Sequence, residues 1–182
     1  MQNISVIWLK NGNFTVIDAD MFDELNAYKW SQDKDGHVYR YETIPHCGGH
    51  ITHWMHRVVN RTKKGDFTDH RNLLAWDNRR INLRTCSGAQ NRQNAPKRKG
   101  NTSSVFKGVN WDKRSNKWRM QIVVNGRQIY GYFDMEGEAA LAYNALAQQH
   151  FGEFARLNDV KPFVATTFPD RSIKDQLWPP AN

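Results

Sequence analysis

The chain has 182 residues, 39% hydrophobic and 24% charged, with a formal net charge of +8. That length allows one large domain or two small ones, and no apolar run approaches the roughly eighteen residues of a membrane span. Cys47 and Cys86 are the only cysteines, and the start Met1-Gln2-Asn3-Ile4-Ser5 lacks a secretory pattern, so a reduced, cytoplasmic protein is expected.

Charge is concentrated in the middle. Residues 57–94 hold 9 Lys/Arg against 3 Asp/Glu and residues 95–131 hold 9 against 1, whereas residues 1–56 and 132–182 each hold 4 against 7. A basic centre between acidic ends suits a polyanion, since each neutralised phosphate releases condensed counterions.

In chain order, residues 14–18 and 37–41 read as short strands rich in β-branched and aromatic side chains. Between them Asp20 is placed to cap a helix running to Asn26. Residues 44–50 form a Pro/Gly loop, and Thr52 is expected to cap a helix over residues 53–59. After the polar turn 60–66, Phe67-Thr68-Asp69-His70 opens a region continued by a loop, 71–80, and a strand, 81–86. Ser87 with Gln90 forms a capping box, so a helix starts there and stops before Pro96. Residues 96–104 read as a basic linker containing Lys97, Arg98 and Lys99. Strands over 105–111, 117–125 and 128–133 follow, with Asn125-Gly126 as a hairpin turn. Asp134 precedes a helix to His150, ended by Gly152, with Ala139, Ala142, Tyr143, Leu146 and Ala147 on one face. The tail, 161–182, carries no clear pattern.

Asp69-His70, Asn82 and Asn91 carry the chemistry. Histidine takes up a proton near neutral pH, as activation of water requires. Carboxylate and amide oxygens suit magnesium or manganese, which keep waters and borrow phosphate oxygens. Neighbouring strand residues face opposite ways, so Asp69 and His70 divide the labour of ligand and base. Phosphodiester hydrolysis uses both functions.

These residues, with Asp77-Asn78-Arg79-Arg80, Asn82-Leu83-Arg84, Gln90-Asn91 and the upstream Met55-His56-Arg57, resemble the HNH nucleases, particularly homing-type endonucleases of phages and introns. The resemblance implies a ββα-metal unit over about residues 66–95, within a nuclease domain of residues 1–95. By position it makes His70 the general base, Asn82 the residue orienting the His70 ring, and Asp69 and Asn91 the ligands of one divalent ion that stabilises the leaving 3′ oxygen. Implied products are 5′-phosphate and 3′-hydroxyl ends. A rival zinc centre from His46, Cys47, His50, His53 and His56 is not expected, because one cysteine in a glycine-rich loop lacks the usual ligand spacing.

Along residues 117–124, alternation places Lys117, Arg119, Gln121 and Val123 on one face and Trp118, Met120, Ile122 and Val124 on the other. Lys107, Asn110, Lys113, Arg114 and Arg127 lie on neighbouring strands and turns. A polar sheet face of this kind can enter a major groove. Phe106-Lys107-Gly108-Val109, Lys117-Trp118-Arg119, Gly131-Tyr132-Phe133-Asp134, the Glu138–Asn144 stretch and Phe154–Asn158 resemble the APETALA2/ethylene-response-factor DNA-binding domain, over residues 106–158. Asn110 and Asp112 stand where the plant domains present arginines, so the plant target does not carry over.

The expected architecture is α+β: an HNH unit with N-terminal strands, the linker 96–104, and at 105–160 a three-stranded antiparallel sheet packed on one helix. The expected activity is site-directed, metal-dependent DNA cleavage by a monomer or homodimer. Lys97, Arg98, Lys99, Lys107, Asn110, Arg114, Lys117, Arg119, Gln121 and Arg127 are the expected DNA contacts, with neither a membrane nor a small-molecule substrate involved. A non-catalytic DNA-binding regulator is the alternative. RNA binding is disfavoured by the scarcity of aromatics arranged for stacking.

Overall fold

The computed structural model describes residues 3–46, 48–98, 100 and 102–161. Among the described residues there are four small antiparallel sheets and four α-helices, divided between two hydrophobic cores. No helix among the described residues is long and apolar enough to cross a membrane.

The first core begins with a hairpin of β1 (Ile4–Trp8) and β2 (Phe14–Asp18), whose alternation sends Ile7, Thr15 and Ile17 inward. Helix α1 (Phe22–Asn26) follows, and then the sheet β3 (Ser31–Gln32), β4 (Val38–Thr43) and β5 (His50–Trp54). Helix α2 (Met55–Val59) adds Met55 and Val59 to a cluster with Ile7, Ile17, Leu25, Trp30, Val38 and Leu83. Leu83 lies on β7 (Leu83–Cys86), which pairs with β6 (Phe67–His70). The N-terminal strands and the Asp69-His70 hairpin therefore share one core.

Helix α3 (Gly88–Asn94) starts at the expected capping box: Ser87 Oγ accepts from Gln90 N at 3.2 Å, and Gln90 Oε1 accepts from Ser87 N at 2.8 Å. The second core lies between the sheet β8 (Val109–Asp112), β9 (Lys117–Val124), β10 (Arg127–Phe133) and helix α4 (Glu136–Phe151). Ala139, Ala140, Tyr143 and Ala147 bury against Val109, Met120 and Ile122. Small side chains let helix and sheet approach closely. Gly108, at φ +75°, lies directly under the Tyr143 ring, which a Cβ would strike.

Several local expectations differ from the fold. Strands β1 and β3 escaped the sequence reading. Residues 50–54 form a strand rather than loop and helix start, because pairing of Tyr39 with Trp54 and Tyr41 with Thr52 outweighs a cap at Thr52. Helix α2 then starts after Trp54 without a side-chain cap. Asp20 caps nothing; it sits in a 3-10 turn, Ala19–Met21, and its carboxylate pairs with Arg80. Strands expected at 81 and 105 begin at Leu83 and Val109. Met135 takes the N-cap place before α4, and Asp134, just ahead of it, pairs with Lys117 at 3.2 Å.

Two side chains expected on DNA instead brace the fold. Lys107 Nζ donates to the carbonyls of Gln93 and Ala95 (2.6 Å each) and Arg92 (3.2 Å), closing the C-terminal end of α3. Burial, with Arg156 nearby, lowers its ammonium pKa to about 8. Lys97 Nζ donates to the Phe106 and Val109 carbonyls at 2.8 Å each. Both cations, expected to contact DNA, here engage backbone carbonyls. Lys99 and Cys47 lie outside the described residues.

Candidate active site

β6, the loop that follows it and α3 line a cavity of about 450 Å³ whose walls include Asp69, His70 and Asn91. Asp35 and His37 close it from the turn before β4. Residues separated in sequence by a strand, a loop and a helix start thus meet at one opening.

Asp69 is 4% exposed and faces Arg84 across the β6–β7 register. Arg84 Nε and Nη2 donate to its Oδ2 at 2.9 and 2.7 Å, and Asn94 Nδ2 reaches Oδ1 and Oδ2 at 2.9 and 3.0 Å. Oδ1 carries only the amide contact and retains acceptor capacity. With the Asn91 side chain at the same opening, a carboxylate and an amide oxygen are available, hard donors that fit magnesium or manganese completed by water and phosphate oxygens. Among the described residues no group of three His, Cys, Asp or Glu side chains is arranged to hold a metal.

His70 is 6% exposed, and burial holds its imidazole below the ordinary histidine pKa despite the nearby carboxylates. Its Nε2 meets Asn78 Oδ1 at 3.3 Å. Asn78 is fully buried and donates through Nδ2 to Thr15 Oγ1 at 2.8 Å, so the ring is tied through Asn78 to β2.

Asn82 engages the loop between β6 and β7. Its Nδ2 donates to the Asp77 carbonyl at 2.8 Å and its Oδ1 accepts from Asn72 N at 3.0 Å. Asp77 Oδ2 in turn accepts from Asn72 Nδ2 at 2.9 Å. The loop between β6 and β7 is thereby stapled shut, and Val16 holds its far side through the Val16 N to Trp76 O (3.0 Å) and Asn78 N to Val16 O (2.8 Å) bonds. Asn82 orders the loop that presents Asn78, and Asn78 contacts the ring. Asn82, expected to orient the His70 ring, meets Asp77 and Asn72 directly and is linked to the ring through the loop that carries Asn78.

Arg84, Asn94, His37 and His56 were also missed as members of the site. Asn94 had a signal: it lies one helical turn beyond Asn91, on the same face. Arg84 had a weaker one, since its place opposite Asp69 depends on the strand register. His56 and His37 approach the His70 ring with centroids 5.3 and 6.0 Å away. Burial, then the neighbouring His70 and His37, pushes the His56 pKa down to about 3. His37 Nδ1 rests 3.5 Å from Asp33 Oδ2.

An aromatic row leads away from these histidines. Trp54 stacks near His56 (6.0 Å), Tyr39 lies 5.5 Å from Trp54, Tyr41 5.1 Å from Tyr39, and His50 4.3 Å from Tyr41. Tyr41 is exposed. The row is mostly edge-to-face or tilted, and it forms because the pairing of β4 with β5 brings distant residues together.

On the second sheet, Asn110, Arg119 and Tyr132 form one row across the strands, with Gln121 beside Tyr130 in the next. The Arg119 guanidinium lies 5.0 Å from the Tyr130 ring centroid, and Gln128 Nε2 donates to Gln121 Oε1 at 3.0 Å. Arg98, Arg114 and Arg127 are exposed, and Lys117 is half-buried. A groove of about 590 Å³ separates this sheet from α3, with Arg92, Gln121 and Gln128 on its walls.

Over 151 residues the chain is 28% identical to an uncharacterized HNH endonuclease of Acanthamoeba polyphaga mimivirus, covering 82% of this chain and 76% of that relative. The likeness supports an HNH endonuclease. No family model matches the chain, and no solved structure matches it.

Proposed function

We propose that the chain is a site-directed DNA endonuclease that hydrolyses phosphodiester bonds with one divalent ion and a histidine base. The observation that carries this reading is the meeting of Asp69, His70 and Asn91 at one cavity. His70 takes the proton of the attacking water, and its buried ring is neutral and free to accept at neutral pH. Asn78 fixes the ring, while Asn82 and Asp77 hold the loop that carries Asn78. Asp69 and Asn91 would hold magnesium or manganese, which when bound supplies charge neutralisation for the leaving 3′ oxygen. The products are then 5′-phosphate and 3′-hydroxyl ends.

The APETALA2-like sheet chooses where the cut falls. Asn110, Arg119 and Gln121 on its outer face offer donors and acceptors to base edges, and Arg98, Lys99, Arg114, Lys117 and Arg127 serve phosphates. One active site per chain suits nicking by a monomer; two copies or two events give a double break.

Supercoiled plasmid incubated with the protein tests the reading. Nicked or linear product with magnesium or manganese, absent with a chelator, is expected. Retarded bands without product under every metal condition would make the protein a DNA-binding regulator and remove the catalytic assignment.

A further inference from the structure

The end of α4 reaches back to the nuclease half. Its 3-10 continuation, Gly152–Phe154, lies against α3 and carries Glu153 between two arginines. Arg71 Nη1 donates to Glu153 Oε2 at 2.6 Å. Arg84 Nη1 donates to the Glu153 backbone oxygen at 2.6 Å and to Oε2 at 3.3 Å. Phe154 lies beneath the same guanidinium, its ring centroid 3.8 Å from Arg84 Cζ. The remaining donors of Arg84, Nε and Nη2, are those that hold Asp69 Oδ2. One buried cation therefore joins the candidate metal carboxylate to a residue of the other half.

We propose that Glu153 is a positioning residue for the metal site, setting through Arg84 how strongly Asp69 binds a divalent cation. The proposal rests on the nuclease reading above. An arginine remains charged at any physiological pH and competes with a divalent ion for the carboxylate it grips. Glu153 weakens that competition in two ways. Its carboxylate offsets the Arg84 charge, and its backbone oxygen takes Nη1, so that Arg84 engages Oδ2 and leaves Oδ1 to the Asn94 amide. Partners behind metal ligands commonly change metal affinity about 10- to 100-fold. The Glu153 side chain is 58% exposed, so solvent screening puts its effect at the lower end.

Manganese binding to the purified full chain without DNA, followed by titration calorimetry, tests this alongside thermal unfolding. Glu153→Gln keeps the backbone contact and loses the charge; it is expected to raise the manganese dissociation constant about tenfold with little change in Tm. Arg71→Ala breaks the adjacent ion pair but leaves the Glu153 charge to Arg84, so no loss of affinity is expected. Equal manganese affinity in Glu153→Gln and the unaltered chain would overturn the proposal while leaving the nuclease reading intact. Equal weakening in both variants would also overturn it, since that is how a purely mechanical clamp behaves. Failure of the unaltered chain to bind manganese at all would remove the metal-dependent reading itself, and this proposal with it.

Discussion

The two halves of the molecule place their polar side chains in opposite ways. Around the cavity, Asp69, His70, Asp77, Asn78, Asn82, Arg84 and Asn94 are all buried. Each is fixed by partners it cannot easily exchange. On the second sheet, the half-buried Gln121 and Arg119 and the exposed Tyr130 lie on the outer face, apart from the apolar core. A buried polar group left unpaired costs about 1–3 kcal/mol, whereas surface changes usually stay within about 0.5 kcal/mol. The first half is therefore built for one chemistry at one point. The outer face of the second sheet can change with less consequence for its fold.

The sharpest break of that contrast is His70→Ala. Cleavage should fall by about 10²- to 10⁴-fold, the usual worth of a positioned acid or base, while a gel-shift assay shows DNA binding retained. Full cleavage in that variant would sink the assignment.

Lys107→Met tests whether this cation belongs to the fold or to DNA. As a brace on the end of α3, its loss should cost roughly 1.5–3 kcal/mol in chemical denaturation. A shallower salt dependence of DNA binding at unchanged stability would return it to the DNA surface.

Asn78→Ala removes the ring contact of His70 and leaves Thr15 without its amide donor. A stability loss of about 1–3 kcal/mol is expected, together with slower cleavage even under conditions where the variant is folded. Normal cleavage by the folded variant would show that the ring needs no such anchor.

Arg119→Ala, on the open face, should leave Tm nearly unchanged and shift sequence preference, by about 1–3 kcal/mol at one base pair if Arg119 reads a base. An unaltered preference profile in a selection experiment would reduce Arg119 to a surface cation.

The smallest effect concerns pH. His56 has a pKa near 3 in the fold against 6.5 in the open chain. The unfolded chain binds the extra proton between those values, so stability is complete above about 6.5 and declines as pH falls. Thermal melts from pH 7.5 to 5 should show this decline, and His56→Gln should flatten it; an unchanged slope in the variant assigns the effect to other groups.

Much of this contrast was legible in the residues. The capping box at Ser87 and Gln90 fixed the start of α3, and with it the side of the helix on which Asn91 lies. Alternation along residues 117–124 separated the buried Met120 and Ile122 from the outer Arg119 and Gln121. Both are local rules, settled within a few residues. Residues 50–54 failed the same approach, because their strand exists only through pairing with β4.

By itself, then, the sequence determined the chemistry available: a histidine, a carboxylate and two amides in a basic chain, with a patterned sheet behind them. Only the tertiary structure decided which groups meet. It set His70 against Asn78, engaged Lys97 and Lys107 with backbone carbonyls, and placed Arg84 between Asp69 and Glu153. The physical reason is the demand of buried polar atoms for partners. Periodicity shows which side chains go inside, but their partners come from strand register and from packing between distant segments.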